Sequence, residues 1–240
     1  MRVQMIPTMK AQLLALFALL GSGLLTAQAQ WGFRAGAGQS EVRSGDIFDP
    51  VTDRLDAIGT TSFGAFAEIP VTPFISLRPG LEYGSRGSSL GLTEKVEVYG
   101  VELPIGARVK TRISYLDAPL LVQLTLPTES AVQPYALLGP RFGYATSAKL
   151  TTAARAVIEM NLYSTDLDLE SIGYERFHVG LIGGLGAKAR VGESVGLFVE
   201  ARYEHGLSQP YDVPVIRDKV GFRGWNLGAG VTFALSPAGR

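Results

Sequence analysis

Eight segments that alternate apolar and polar residues, connections sorted into short and long, and an N-terminal export signature together predict an all-β fold. The predicted architecture is an eight-stranded antiparallel up-and-down transmembrane β-barrel of the outer-membrane type. In the export signature, Arg2 and Lys10 supply positive charge, "AQLLALFALLGSGLL" an apolar core, and Ala27-Gln28-Ala29 a small-x-small cleavage pattern. These are the parts of a secretory signal peptide. Residues 1–29 are therefore expected to be a cleaved leader and residues 30–240 one barrel domain. A membrane-anchor helix fits less well, because the apolar stretch is short and broken by Gly21-Ser22-Gly23.

From Trp31 onward the period is two, the strand signature. In the first segment Trp31, Phe33, Ala35 and Ala37 oppose Gly32, Arg34, Gly36 and Gly38. In the second, Phe63, Ala65, Ala67 and Ile69 oppose Ser62, Gly64, Phe66 and Glu68. The third sets Ile75, Leu77, Leu81 and Tyr83 against Arg78, Gly80, Glu82 and Arg86. The fourth keeps Leu116, Ala118, Leu120, Val122, Leu124 and Leu126 on one face, with Tyr115, Asp117 and Gln123 on the other. The fifth places Ala136, Leu138, Phe142 and Tyr144 against Gly139, Arg141 and Gly143. The sixth places Phe177, Val179, Leu181 and Leu185 against Arg176, His178, Gly180, Gly184, Lys188 and Arg190. The seventh alternates Leu197, Val199, Ala201 and Tyr203 with Glu200, Arg202 and Glu204. The eighth alternates Trp225, Leu227, Ala229, Val231 and Phe233 with Asn226, Gly228, Gly230 and Thr232.

Connections after the second, fourth and sixth segments are the short turns "PVTP", "PTESA" and "GES". Those after the first, third, fifth and seventh are long polar loops, about residues 41–59, 87–108, 149–174 and 208–220. Short turns on one rim and long loops on the other describe an outer-membrane barrel whose short turns and chain ends face the periplasm. "KVEVYGVEL" (Lys95–Leu103) can carry the third and fourth strands on above the membrane.

A soluble barrel shows the same period with the opposite polarity, so the faces must be assigned on other grounds. The non-apolar faces are rich in glycine, which makes room for a few large charged groups in a narrow lumen. Their charges have both signs at two-residue spacing, as a paired interior network needs. The expected network is Arg34, Glu68, Arg78, Glu82, Arg86, Asp117, Arg141, Arg176, His178, Lys188, Arg190, Glu200, Arg202 and Glu204. On the apolar faces Trp31, Phe33, Phe63, Tyr83, Tyr144, Phe177, Tyr203, Trp225 and Phe233 are expected at the membrane interfaces.

Lys plus Arg equals Asp plus Glu at 22 each, which argues against a nucleic-acid partner, since that needs a clustered excess of positive charge. The absence of Cys excludes disulfides, thiolate metal sites, a Cys nucleophile and a lipid-modified N-terminal Cys.

"FRAGAG", "YLDAPLLVQLTL", "PYALLGPRFGY", "VGLIGGLGAKARV" and "VEARYEHGL" resemble stretches of the small outer-membrane β-barrel proteins of Bacteroidetes, the porin-family or PorT-like proteins. The most specific element is "SYLDAPLLVQ", similar to that family's Tyr-Leu-acid-apolar-Pro-Leu-Leu stretch. The resemblance spans nearly the whole mature chain and implies an eight-stranded barrel assembled in the outer membrane. It implies no single activity. The chain ends "FALSPAGR" rather than in a terminal Phe, which leaves the assembly signal to Phe233 or Leu235.

Catalytic chemistry finds little support. His205 lies in the apolar phase with Ser208 three residues on, whereas barrel-shaped lipid A deacylases set their His and Ser two apart. His178 lies in the lumen phase and reads as a network member. Asp46, Asp49, Asp53 and Asp56, with Asp166, Asp168 and Glu170, lack EF-hand spacing and read as solvated loop carboxylates. "GLIGGLG" lacks the Lys-Ser/Thr ending of a phosphate loop and leads into a strand. No catalytic, cofactor or metal site is expected.

Eight strands leave an interior that side chains fill, whereas water-filled channels come at about 16–18 strands. The expected function is non-catalytic: structural, or binding of a protein or small molecule through the long extracellular loops by a monomer surrounded by outer-membrane lipid. The alternatives are a narrow channel for small solutes, a soluble periplasmic lipocalin-like carrier, and a lipid-modifying barrel enzyme.

Overall fold

The alternating segments become strands that pair only with antiparallel neighbours. The computed structural model describes residues 29–43, 55–98, 101–155, 159–167, 174–192, 194–208 and 221–234. The leader and most of the last long loop lie outside them. The strands are β1 (Gln30–Arg43), β2 (Leu55–Pro70), β3 (Ile75–Val98), β4 (Val101–Thr125), β5 (Val132–Arg155), β6 (Glu159–Leu167), β7 (Phe177–Arg190), β8 (Val195–Gly206) and β9 (Gly221–Ala234). β1 pairs with both β2 and β9, β5 with both β4 and β7, and the circle closes through eight strands. Closure leaves no edge within the membrane, as a barrel in hydrocarbon requires.

The ninth strand stands outside the ring. β6 pairs with the far half of β5, from Ala148↔Leu167 to Arg155↔Glu159, and among the described residues it pairs with no other strand. β3 and β4 also continue together past the ring, ending at Val98↔Val101. The segments expected as loops at 87–108 and 149–174 are therefore largely strand, and β3, β4, β5 and β6 form a four-stranded extension at the long-loop end.

At the opposite end the turns are tight. Thr72 Oγ1 accepts the backbone N–H of Phe74 at 3.3 Å and of Ile75 at 3.0 Å. Gly192 takes φ 87° in the β7–β8 turn, a left-handed conformation that L side chains rarely adopt.

The two faces have the polarity of a membrane barrel. Outward side chains such as Phe63, Leu138 and Leu185 are 62%, 65% and 69% exposed, while Arg34, Arg78, Arg141 and Glu200 are at most 4% exposed. Glycines on the inward face admit large neighbours: a Cβ on Gly228 would come within 2.6 Å of the Arg34 Cζ, and one on Gly186 would strike the Tyr135 ring.

Leu138 lies midway along the outward apolar row of β5, between Val122 and Gly183. Leu138→Arg is expected to destabilise the barrel by about 2–4 kcal/mol in vesicle refolding titrations, whereas Leu126→Arg at the rim should cost about 1 kcal/mol or less. Equal costs at the two positions would show that the outward face does not meet hydrocarbon.

Candidate functional site

The lumen is a stack of layers, each built from several strands. At the short-turn end, Lys188 of β7 reaches Glu68 of β2 at 2.8 and 2.9 Å, with Gln30 Oε1 at 3.4 Å and Gln123 donating to Glu68 at 3.1 Å. An open vestibule of about 890 Å³ has this pair on its wall.

The next layer is apolar. Phe66, Leu121, Tyr135, Leu137, Ile182 and Phe198 form one buried cluster, and the Phe66 and Phe198 rings pack edge-on at 5.6 Å. The Arg78 guanidinium lies 3.7 Å above the Phe66 ring centroid. This stacking accounts for Nε and Nη2 of Arg78, which have no hydrogen-bond partner among the described residues.

Beyond it lies the densest ionic layer. Glu200 accepts from Arg34 Nε at 2.6 Å, Arg78 Nη1 at 3.1 Å and the Tyr135 hydroxyl at 2.9 Å. Arg202 Nε lies 2.7 Å from Glu200 Oε1 but is not aligned for a hydrogen bond, while its Nη1 donates to Glu82 at 2.7 Å. Arg34 also bonds Asn226 and donates to Ser62 at 3.0 Å. A further layer joins Arg86 to Asp117 at 2.5 Å and to Glu204 at 3.3 Å, with Arg141 on the same Glu204. A cavity of only about 30 Å³ lies beside these groups, room for about one water.

The stack ends in a second apolar cluster of Ile113, Tyr115, Ala145, Ala148, Tyr174 and Phe222, in which the Tyr115 and Tyr174 hydroxyls are bonded to each other. His178 packs against Tyr115 and Phe222.

Of the residues expected in the network, Arg176 and Arg190 stand apart from it. Arg190 is exposed at the last residue of β7, and Arg176, half-buried, precedes that strand. Both have the lumen phase but lie where the tube opens to water. His178 is buried but joins no carboxylate among the described residues; its Nδ1 shares a 2.6 Å hydrogen bond with Ser208 Oγ. Period-two reading missed the apolar layers because it treated the inward phase as polar. Their signal is present in Phe66, Tyr115, Tyr135 and Phe198, all in that phase.

The nine outward aromatics are exposed and fall in two groups. Trp31, Phe33 and Phe233 lie toward the short-turn end, with Trp31 opposite Phe233 and the Phe33 and Phe233 rings 6.4 Å apart. Phe63, Tyr83, Tyr144, Phe177, Tyr203 and Trp225 lie toward the long-loop end, paired across strands as Phe63–Tyr83, Tyr144–Phe177 and Tyr203–Trp225.

Ser208 also accepts the Val179 N–H at 2.9 Å and so fastens the end of β8 to β7. Among the described residues His178 Nε2 has no partner, and the acid of a catalytic triad is absent from this pair. His205, considered with Ser208 in the sequence, sits opposite Leu181 and Arg223 instead. No group of His, Asp or Glu able to hold a metal occurs among the described residues; Asp46, Asp49, Asp53, Asp168 and Glu170 lie outside them.

A closed ring with an inverted interior is the architecture of a known family, and residues 20–211 match the model of the outer membrane protein beta-barrel domain. The chain belongs to that family. No curated protein sequence is detectably similar. Among solved structures, Neisserial surface protein A is 17% identical, with 85% of this chain and 97% of that chain covered and a TM-score of 0.43. The outer membrane protein OprG from Pseudomonas aeruginosa is 16% identical over 86% and 96% of the two chains, TM-score 0.44. The outer membrane protease OmpT from Escherichia coli is 9% identical over 88% and 98%, TM-score 0.34. Membership of the outer membrane barrel family rests on the family model and the closed ring, and it fixes the lipid-facing wall.

Glu200 carries the heaviest load in this barrel. Glu200→Ala leaves Arg34, Arg78 and Arg202 short of a counter-ion inside the tube, and is expected to cost about 3–5 kcal/mol. Arg190→Ala should cost less than about 0.5 kcal/mol. Heat-modifiable gel migration and urea titration in vesicles measure both, and a small effect at Glu200 would remove it as the hub.

Proposed function

We propose that the protein is a non-catalytic outer-membrane barrel that acts through a protein partner bound at its extracellular end, without conducting solutes. The carrying observation is the four-stranded extension, in which β6 pairs with β5 alone among the described residues. An unpaired strand edge offers a row of backbone N–H and C=O groups, and adding a partner's strand to such an edge is a recurrent mode of protein recognition. A rigid barrel holding this sheet clear of the membrane suits that mode, because function tends to sit on segments displayed by a fixed scaffold.

Exclusion of transport is supported by the layers. A solute entering the vestibule meets the Glu68–Lys188 pair, then the packed Phe66–Phe198 layer, then the Glu200 hub. Export by the leader at residues 1–29, cleavage after Ala29, and kinship with the porin-family or PorT-like proteins of Bacteroidetes through "SYLDAPLLVQ" belong to the same reading.

Two measurements test it. In planar bilayers the refolded barrel is expected to give no unitary current steps, and regular steps would favour a narrow channel. Replacing residues 150–165 by a short turn is expected to abolish cross-linking to an outer-surface partner in intact cells while heat-modifiable migration is kept. Unchanged cross-linking would move the binding surface elsewhere.

A further inference from the structure

Above the apolar belt the outer wall changes chemistry. Along the outward face of β4 the chain runs Leu126, Leu124, Val122, Ala118 and Leu116, all exposed, then Ser114, Arg112 and Lys110. Arg112 is exposed and lies four residues beyond Leu116, about 13 Å along the strand at ~3.3 Å per residue. That is the level at which hydrocarbon gives way to headgroups.

A bulge brings a second cation beside it. On β5 the outward positions are even-numbered up to Tyr144. Tyr115 pairs with Ala145 but Ser114 pairs with Ser147, so Thr146 is an extra residue and the phase reverses beyond it. Ala148 then packs into the lumen cluster with Ile113, and Lys149 is exposed on the outer wall, directly opposite Arg112. With no bulge Lys149 would keep the lumen phase.

Like charges placed opposite each other on neighbouring strands repel. The register partner of Arg112 on β3 is Gly87 and on β5 is Lys149. Neither is a carboxylate. Asp166 is the acidic register partner of Lys149, on its far side in β6. Arg112 donates from Nη2 to the Gly59 carbonyl at 3.2 Å, a bond that lays the guanidinium along the wall without neutralising it.

We propose that Arg112 and Lys149 bind the phosphate groups of an outer-leaflet lipid. The site faces sideways and starts where the apolar belt stops, so a lipid placed there lays its acyl chains over Leu116 and Tyr144 and its phosphates between the two cations. Arginine supplies a flat fork for phosphate oxygens and lysine a point charge. A lipid phosphate also relieves the repulsion that the bulge creates.

The full-length barrel is reconstituted in phosphatidylcholine vesicles containing phosphorylated lipid A, or the same lipid A after enzymatic dephosphorylation. Lipid retained through detergent extraction is then quantified by mass spectrometry. The phosphorylated form is expected to be retained preferentially, R112Q and K149Q each weakening retention roughly fivefold and the double variant roughly twentyfold. Both side chains are exposed, so heat-modifiable migration should stay unchanged. Retention indifferent to the phosphates, or undiminished in the double variant, overturns the proposal. Displacement of the lipid by an equal concentration of inorganic phosphate also overturns it, since the site would then take a free anion.

Discussion

Every ion inside this tube must find its counter-ion on another strand, and the rest of the structure follows from that requirement. Outside the wall is hydrocarbon, which solvates no charge; inside there is little space for water. Glu200 of β8 meets Arg34 from β1, Arg78 from β3 and Tyr135 from β5, so one carboxylate ties four strands together across the lumen. Glu204 does the same for Arg86 of β3 and Arg141 of β5, and Glu68 for Lys188 of β7. These contacts span 63 to 166 residues of sequence and form only when the ring is closed. A buried ion pair contributes little net stability compared with an apolar pair, but it penalises any arrangement that leaves one member alone. The network therefore acts mainly as a check on register and closure.

Glycine and aromatic residues answer the same constraint from the side of volume. An arginine reaching into the lumen occupies space that the neighbouring strand must give up, which is why Gly228 of β9 lies beside Arg34 of β1 and Gly180 of β7 beside Arg141 of β5. Where the inward side chains are Phe66, Phe198 and Tyr135, their register partners on the adjacent strand are Gly32, Gly230 and Gly186. Large and small alternate from strand to neighbouring strand whether the large group is charged or not. One apolar layer separates the Glu68–Lys188 pair from the Glu200 layer and the other closes the stack beyond Glu204. With water squeezed out of these apolar layers, the ionic layers between sit in a lower effective dielectric, which strengthens their pairs.

The faces of the strands were legible because only one side of each meets lipid, and that asymmetry writes a period of two into the sequence. Above the membrane both sides meet water, so the period is no longer enforced. The end of β3 keeps Leu90, Leu92, Val96 and Val98 in one phase with Glu94 interrupting it, whereas "NLYSTDL" carries no consistent apolar face and yet forms most of β6. The membrane part of the ring could thus be read, "KVEVYGVEL" allowed β3 and β4 to run on above it, and the β5–β6 part of the extension was taken for loop. The same reasoning explains the lumen. Phase alone identified Arg34, Arg78, Glu82, Arg86, Asp117, Arg141, Lys188, Glu200, Arg202 and Glu204 as inward residues. Phase does not say where a tube ends, which is why Arg176 and Arg190 looked the same as these. Pairing of His178 with Ser208, thirty residues away, depends on how β7 and β8 meet at the rim and has no local signature.

The single residue Thr146 shows how far such reading can mislead. Phase extrapolated along β5 from Tyr144 would put Lys149 inside, close to a network already rich in cations. Six cations, Arg34, Arg78, Arg86, Arg141, Lys188 and Arg202, already share five carboxylates, Glu68, Glu82, Asp117, Glu200 and Glu204. A seventh inside would deepen the imbalance in the medium least able to tolerate it. The bulge removes Lys149 to the wall and turns Ala148 inward, where a small apolar group fits against Ile113 and Tyr115. The repulsion it then has with Arg112 is tolerable because the wall at that height is wet and lined with lipid phosphates, neither of which the lumen offers. The same extra residue thus settles the packing of the outer apolar cluster and the charge of the surface beside it.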